Sequence, residues 1–194
     1  MKTAYLHCDL DYVIQGAGNS LDTAPLLVRM LRHVSRAVDY MHHKGVVHHD
    51  IKPTNIMLKH TRTDGSPMER FLAATFVVID FGLAKQYPPE VQLEASGYSA
   101  GTPRYSSPEK RSNTTYNAFA ADWYALGITA LEMTIPDLWT TLSEEEYPQT
   151  PREVAFYQSF RYPHQEVYDI IYNFLVGDQV PIDQALLAKL ENLR

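Results

Sequence analysis

The 194-residue sequence predicts a mainly α fold with a small β-hairpin, and three observations carry that prediction. Between residues 25 and 44, Leu27, Leu31, Val34, Val38 and Met41 recur at alternating steps of four and three, the stripe of an amphipathic helix. Residues 120–134 are apolar on most sides, as a helix buried in the middle of a lobe must be. Ile56-Met57-Leu58-Lys59 and residues 71–79 read as two strands, joined through a turn at Asp64-Gly65.

The length suits one domain, and 45% hydrophobic residues suffice for a core. No run approaches the roughly 20 apolar residues of a membrane span, and the first residues lack an apolar signal-peptide core before Asp9 and Asp11. A soluble intracellular protein is expected. Cys8 is the sole cysteine, which excludes an internal disulfide and a cysteine zinc cage. A formal charge of −6 argues against a nucleic-acid or anionic-membrane surface.

Taken in order, residues 4–14 form a short opening whose own composition fits a polar start to the domain. Residues 15–20, with Gly16 and Gly18, read as a turn-rich break rather than a phosphate cradle, because no third glycine and no preceding strand accompany them. The helix at 25–44 has Asp22 or Thr23 as its cap, Pro25 in its first turn and Gly45 at its exit. His42, His43, His48, His49 and His60 raise a metal site. Adjacent histidines point to different faces, however, and no His-Glu-x-x-His spacing occurs, so a metal site is not expected from them. Residues 61–67 read as an exposed connection. Residues 82–105 have the composition of a mobile loop, with Ser96, Tyr98 and Ser99 as hydroxyls open to phosphorylation. Glu144-Glu145-Glu146 reads as a solvated face, and residues 152–160, 165–176 and 182–193 supply three further helical patterns.

The chemistry concentrates between residues 46 and 58. Val46-Val47 and Ile56-Met57-Leu58 anchor the two ends of a polar loop that holds a carboxylate at Asp50, an amine at Lys52 and a carboxamide at Asn55. This stretch resembles the catalytic loop of eukaryotic-type protein kinases, with His49 where arginine is usual. Asp80-Phe81-Gly82 after an apolar run resembles the family's metal-binding triplet. Residues 101–109, Gly-Thr-Pro-Arg-Tyr-Ser-Ser-Pro-Glu, resemble the end of its activation loop, and Asp122-Trp123-Tyr124-Ala125-Leu126-Gly127 resembles the start of its buried central helix.

The resemblance implies a partial kinase domain over residues 1–194: hinge and C-terminal lobe, catalytic loop 48–55 and activation segment 80–109, an α+β kinase fold lacking the N-terminal-lobe sheet. It implies ATP and Mg²⁺ as cofactors and a protein substrate offering a Ser or Thr hydroxyl, because Lys52 with Gly101-Thr102 matches the serine/threonine pattern. In that scheme Asp50 orients the hydroxyl and takes its proton, Lys52 offsets phosphoryl charge and Thr102 bonds back to both. Asn55 and Asp80 hold Mg²⁺. Backbone groups of Ala4 and Leu6 hold adenine above Met57, and Asp9 accepts from the ribose.

Two departures modify these expectations. No glycine-rich strand loop or phosphate lysine precedes Asp9, so weak ATP binding and an apolar face open to a partner are expected, and a non-catalytic interaction module is the alternative function. At position 49 the usual arginine would pair with a phosphorylated loop, whereas a neutral imidazole would not. Loop phosphorylation is therefore not expected to be the main switch. Glu109 has a family counterpart paired with a late arginine, and residues 178–183 contain none.

Overall fold

The computed structural model describes residues 6–17, 24–59, 64, 67–88, 93–94, 100–112 and 115–134. The expectations for Ala4, for the caps at Asp22 and Thr23, for Ser96, Tyr98 and Ser99, for Glu144 to Glu146, for the three late helices and for residues 178–183 lie outside the described residues.

The chain opens with β1 (Leu6–Asp9) and α1 (Leu10–Ala17). Asp9 caps the helix, its Oδ1 accepting from the Tyr12 amide at 2.8 Å. Leu10 and Val13 are buried, and Gln15 donates to Asp11 one turn back at 2.7 Å. These contacts carry the helix through Gly16 to Ala17, so the break expected from residue 15 begins later.

Next comes α2 (Ala24–His43), whose predicted stripe is buried together with Leu26 and Met30. Gly45 ends it with φ +71, a left-handed conformation in which a side chain is disfavoured. A Cβ there would also stand 2.6 Å from the Tyr87 carbonyl oxygen. Then follow β2 (Val46–Val47), a 3₁₀ turn at Pro53–Asn55 and β3 (Ile56–Lys59).

The second predicted strand is a correction. Residues 67–73 form α3 (Pro67–Ala73), and only Thr75–Val78 form the strand β4. Glu69, Arg70, Leu72 and Ala73 tolerate a helix and Pro67 stands at its first position, whereas the β-branched and aromatic Thr75-Phe76-Val77-Val78 favours the pleated conformation. Arg29 of α2 fastens the junction, Nε donating to the Ala74 carbonyl at 2.7 Å and Nη2 to that of Ala73 at 3.3 Å.

The small hairpin is likewise two strands of a three-stranded antiparallel sheet in the order β1-β3-β4, with β3 in the centre. Met57 lies opposite Asp9 on one side and Val77 on the other. Two further strand pairs hold down what composition gave as a mobile loop. After a 3₁₀ turn at Phe81–Leu83, β5 (Lys85–Gln86) pairs with β2. Beyond it, β6 (Leu93–Glu94) pairs with β7 (Tyr116–Asn117). Between these lie a 3₁₀ turn at Pro103–Tyr105 and α4 (Pro108–Arg111).

The last described element, α5 (Ala118–Thr134), runs through the middle of the core. Leu126, Ile128, Ala130 and Leu131 are buried beside Val34 and Val38 of α2, Ile56 and Leu58 of β3 and Phe76 of β4. Burial of this set provides the main stabilisation, at about 1.5–3 kcal/mol for each large side chain. No helix among the described residues is long and apolar enough to cross a membrane.

Candidate active site

The loop between β2 and β3 sits on a buried carboxylate. Asp122, on α5 and 1% exposed, accepts from the His48 amide at 2.8 Å and the His49 amide at 2.9 Å. His42 Nε2 contacts the same carboxylate at 3.0 Å. Burial alone would raise the Asp122 pKa, but the hydrogen bond and charge of His42 and the bond from His48 outweigh it, and the carboxyl ends below its usual value. Its ionised form therefore organises the loop backbone from below.

His48 extends that order upward. Its Nδ1 accepts from the Asp50 amide at 3.3 Å, and its Nε2 lies 2.9 Å from the Ile79 carbonyl, which can only accept. Both contacts are met by one neutral tautomer protonated on Nε2. Phe81 stands edge-on against the ring, 5.0 Å between centroids, tying the Asp80 turn to the same residue.

Asp50, Lys52, Asn55 and Thr102 come together on this base. Lys52 Nζ lies 2.7 Å from Asp50 Oδ2 and donates to Thr102 Oγ1 at 2.7 Å. Thr102 donates twice to Asp50 Oδ1, from its amide at 2.9 Å and its hydroxyl at 2.8 Å. Asn55 Nδ2 donates to the Asp50 carbonyl at 2.9 Å and to Oδ2 at 3.0 Å. Burial pushes the Asp50 pKa up, but the bonds from Lys52 and Thr102 and the Lys52 charge prevail, so its carboxyl stays ionised below the ordinary range. The result is a fixed, largely buried carboxylate beside a partly exposed cation.

The sheet register sets the remaining residues. Asn55 precedes β3, and its carbonyl accepts from the Ile79 amide at 3.0 Å, so Asp80 lies one residue beyond a direct cross-strand partner of Asn55. Asp80 adopts the left-handed φ +60 and accepts from the Gly82 amide at 3.2 Å, its side chain exposed. Asn55 spends its NH₂ on Asp50. At the sheet's other edge Asp9 and Met57 are paired, but one Asp9 oxygen is engaged as the α1 cap. The Leu6 backbone pairs with Lys59.

Sequence reasoning did not single out Asp122 or Tyr87 as functional residues. A carboxylate in the second turn of an otherwise mostly apolar helix was a usable signal for the first. Tyr87 carried none, because its hydroxyl meets His49 Nε2, 2.9 Å away, only through the fold.

The sequence from residue 4 to residue 178 matches the family model of the protein kinase domain. The chain belongs to the protein kinase domain family. Among curated kinases it is 34% identical over 110 residues to the mitogen-activated protein kinase kinase kinase 8 of Rattus norvegicus, covering 55% of this chain and 20% of that protein. It is 36% identical over 111 residues to the serine/threonine-protein kinase Pkn1 of Myxococcus xanthus, covering 57% of this chain and 15% of the relative. With the cAMP-dependent protein kinase catalytic subunit of Schizosaccharomyces pombe it shares 38% identity over 97 residues, half of this chain and 16% of the other. The kinase-domain chain thus aligns with only 15% to 20% of the length of these relatives.

Proposed function

We propose that this chain carries the catalytic loop of a serine/threonine protein kinase, which moves the γ-phosphoryl group of ATP to a Ser or Thr hydroxyl of a protein. The observation that carries the reading is the ionised Asp50, held at once by Lys52, Thr102 and Asn55. Residues 48–55 are the catalytic loop in this reading, and 80–109 the activation segment.

Phosphoryl transfer demands positioning and charge neutralisation more than covalent help. Asp50 aligns the substrate hydroxyl and accepts its proton as that oxygen bonds to the γ-phosphorus and the bond to the β,γ-bridging oxygen breaks, ADP leaving, and a carboxylate that already accepts from several donors is kept in one orientation for that task. Lys52 balances negative charge on the phosphoryl oxygens. Thr102 ties the two together and brings the 101–105 turn, where a peptide would lie, to the reacting group.

Asn55 and Asp80 are suited to Mg²⁺: both offer hard oxygen atoms, and that ion is commonly held by only one or two protein groups plus phosphates. The ion, when bound, supplies neutralisation of phosphate charge. Backbone groups of Ala4 and Leu6 would hold adenine, with Met57 as its apolar floor and the second Asp9 oxygen toward the ribose. Phe81, 50% exposed, and Leu83, 39% exposed, next to Asp80, support a protein partner on that apolar face.

Transfer from γ-labelled ATP to a serine- and threonine-containing protein, followed by phosphoamino-acid analysis, tests this function. Label on serine or threonine that disappears in Asp50→Asn supports it. Label that persists in Asp50→Asn, or its absence with every substrate tried, overturns it.

A further inference from the structure

His49 has a backbone conformation that a non-glycine residue adopts only under constraint, φ +68, and the structure surrounds it with attachments. Its amide donates to Asp122. Lys110, buried at 9% exposure, donates from Nζ to its carbonyl at 3.3 Å. Its imidazole, 5% exposed, shares the 2.9 Å hydrogen bond with the Tyr87 hydroxyl.

The peptide joining His49 to Asp50 is therefore gripped on both edges, with Lys110 at its C=O and His48 Nδ1 at its N–H. A peptide plane held so leaves little freedom to the carboxylate of Asp50, the next side chain. Gly101 makes room for the arrangement: at φ +103 it has no Cβ, and one added there would collide with the His49 carbonyl oxygen and stand 3.2 Å from Lys110 Nζ.

Tyr87 is itself fixed from several directions. Its amide donates to the Gly45 carbonyl at 2.7 Å, directly after the β5 strand that pairs with β2. Its ring packs 5.7 Å from Phe119, and the Lys85 ammonium lies 5.3 Å from the ring centroid. Tyr87 follows Asp80 by seven positions and Lys110 follows Glu109, so the two ties reach residue 49 from opposite ends of the 80–109 segment.

We propose that Tyr87 and Lys110 are positioning residues which, acting through His49, set the orientation of Asp50 and close both ends of the 80–109 segment onto the catalytic loop without a phosphate. The proposal deepens the kinase function above and rests on it. Neither residue touches reacting atoms. The buried His49 imidazole turns inward to a tyrosine hydroxyl already present in the fold.

The test uses the full chain with Tyr87→Phe, which keeps the ring and removes the hydroxyl, His49→Asn, which suits a left-handed backbone but cannot reach Tyr87, the double variant, and Lys110→Met. Loss of one net hydrogen bond in the path to Asp50 should lower kcat about fivefold in Tyr87→Phe with KM for ATP unchanged. The double variant with His49→Asn should lose no more than His49→Asn alone. Amide hydrogen exchange at Thr102, whose N–H is donated to Asp50, should quicken by about the same factor in Tyr87→Phe and in Lys110→Met. A merely structural role would lower the melting temperature but would not divide kcat from KM or, in Tyr87→Phe, quicken exchange at the Thr102 amide; Lys110 lies beside Gly101, so its effect on Thr102 counts only together with a fall in kcat. Unchanged exchange at Thr102 in both single variants overturns the proposal, as do losses that add in the double variant. If wild-type protein transfers no phosphate, the kinase function fails while the exchange measurement still decides this inference.

Discussion

Replacing Asp122 by alanine removes an ionised acceptor from beneath two backbone amides that donate to it. His48 and His49 donate to it at 2.8 and 2.9 Å, and His48 is fully buried. A hydrogen bond to a charged group contributes about 1.5–3 kcal/mol net, and a stranded buried donor adds its own desolvation penalty. Partial relaxation limits the sum, and the expected destabilisation is about 3–5 kcal/mol. Asp122→Asn keeps one good acceptor and presents an NH₂ to the other donor, so its loss should be roughly half as large. Urea unfolding of the full chain at neutral pH measures both. The carboxyl lies below its usual value, so its stabilising effect is present above the ordinary value of 3.8 and is lost as the pH falls through the still lower folded value. A loss under about 1 kcal/mol for Asp122→Ala, or equal losses for the two variants, would refute the view that this carboxylate organises the loop.

Three further outcomes follow from the same geometry. Lys52→Met should cut turnover by about 10²-fold or more while fold stability changes by less than about 1 kcal/mol, since the partly exposed Lys52–Asp50 pair matters more for charge placement than for folding; steady-state kinetics and urea unfolding check the two halves. Gly101→Ala should destabilise by about 2 kcal/mol or more, because it combines a left-handed φ with a collision at the His49 carbonyl, and thermal unfolding reads it directly. His33 accepts from the Phe76 amide at 3.2 Å, and burial, then the charges of Arg29, Arg32 and Arg36, lower its pKa from 6.5 to about 4. The neutral ring belongs to the folded state, so stability should fall as the pH drops from 6.5 to about 4. After discounting for partial exposure the loss is about 2 kcal/mol, and it should vanish in His33→Gln when unfolding is followed across that range.

Much of this architecture was legible because it is local. The stripe from Leu27 to Met41 repeats with the helical period, and every one of its members is buried. Asp50, Lys52 and Asn55 stand at fixed short offsets between apolar anchors, so their meeting needs only one turn of chain. Failures came where a pattern changed period without punctuation. Phe71 and Leu72 are apolar and lead toward Phe76 and Val77, which makes helix and strand look continuous, and the boundary at Ala74 is set by Arg29 from another helix. Long-range ties were hidden for the same reason. The bonds that Asp122 accepts from the His48 and His49 amides span more than 70 positions, and that between His49 and Tyr87 spans 38, so no periodicity or spacing announces them. The gripping of His49, which gives the site its particular character, is visible only in three dimensions.

The most direct measurement is isothermal calorimetry of ATP binding to the purified chain with and without Mg²⁺, using Asp80→Ala as the control. The account predicts Mg²⁺-dependent binding that disappears in Asp80→Ala while the variant remains folded. Absence of binding by well-folded wild-type protein, or binding that neither Mg²⁺ nor the substitution alters, would contradict it.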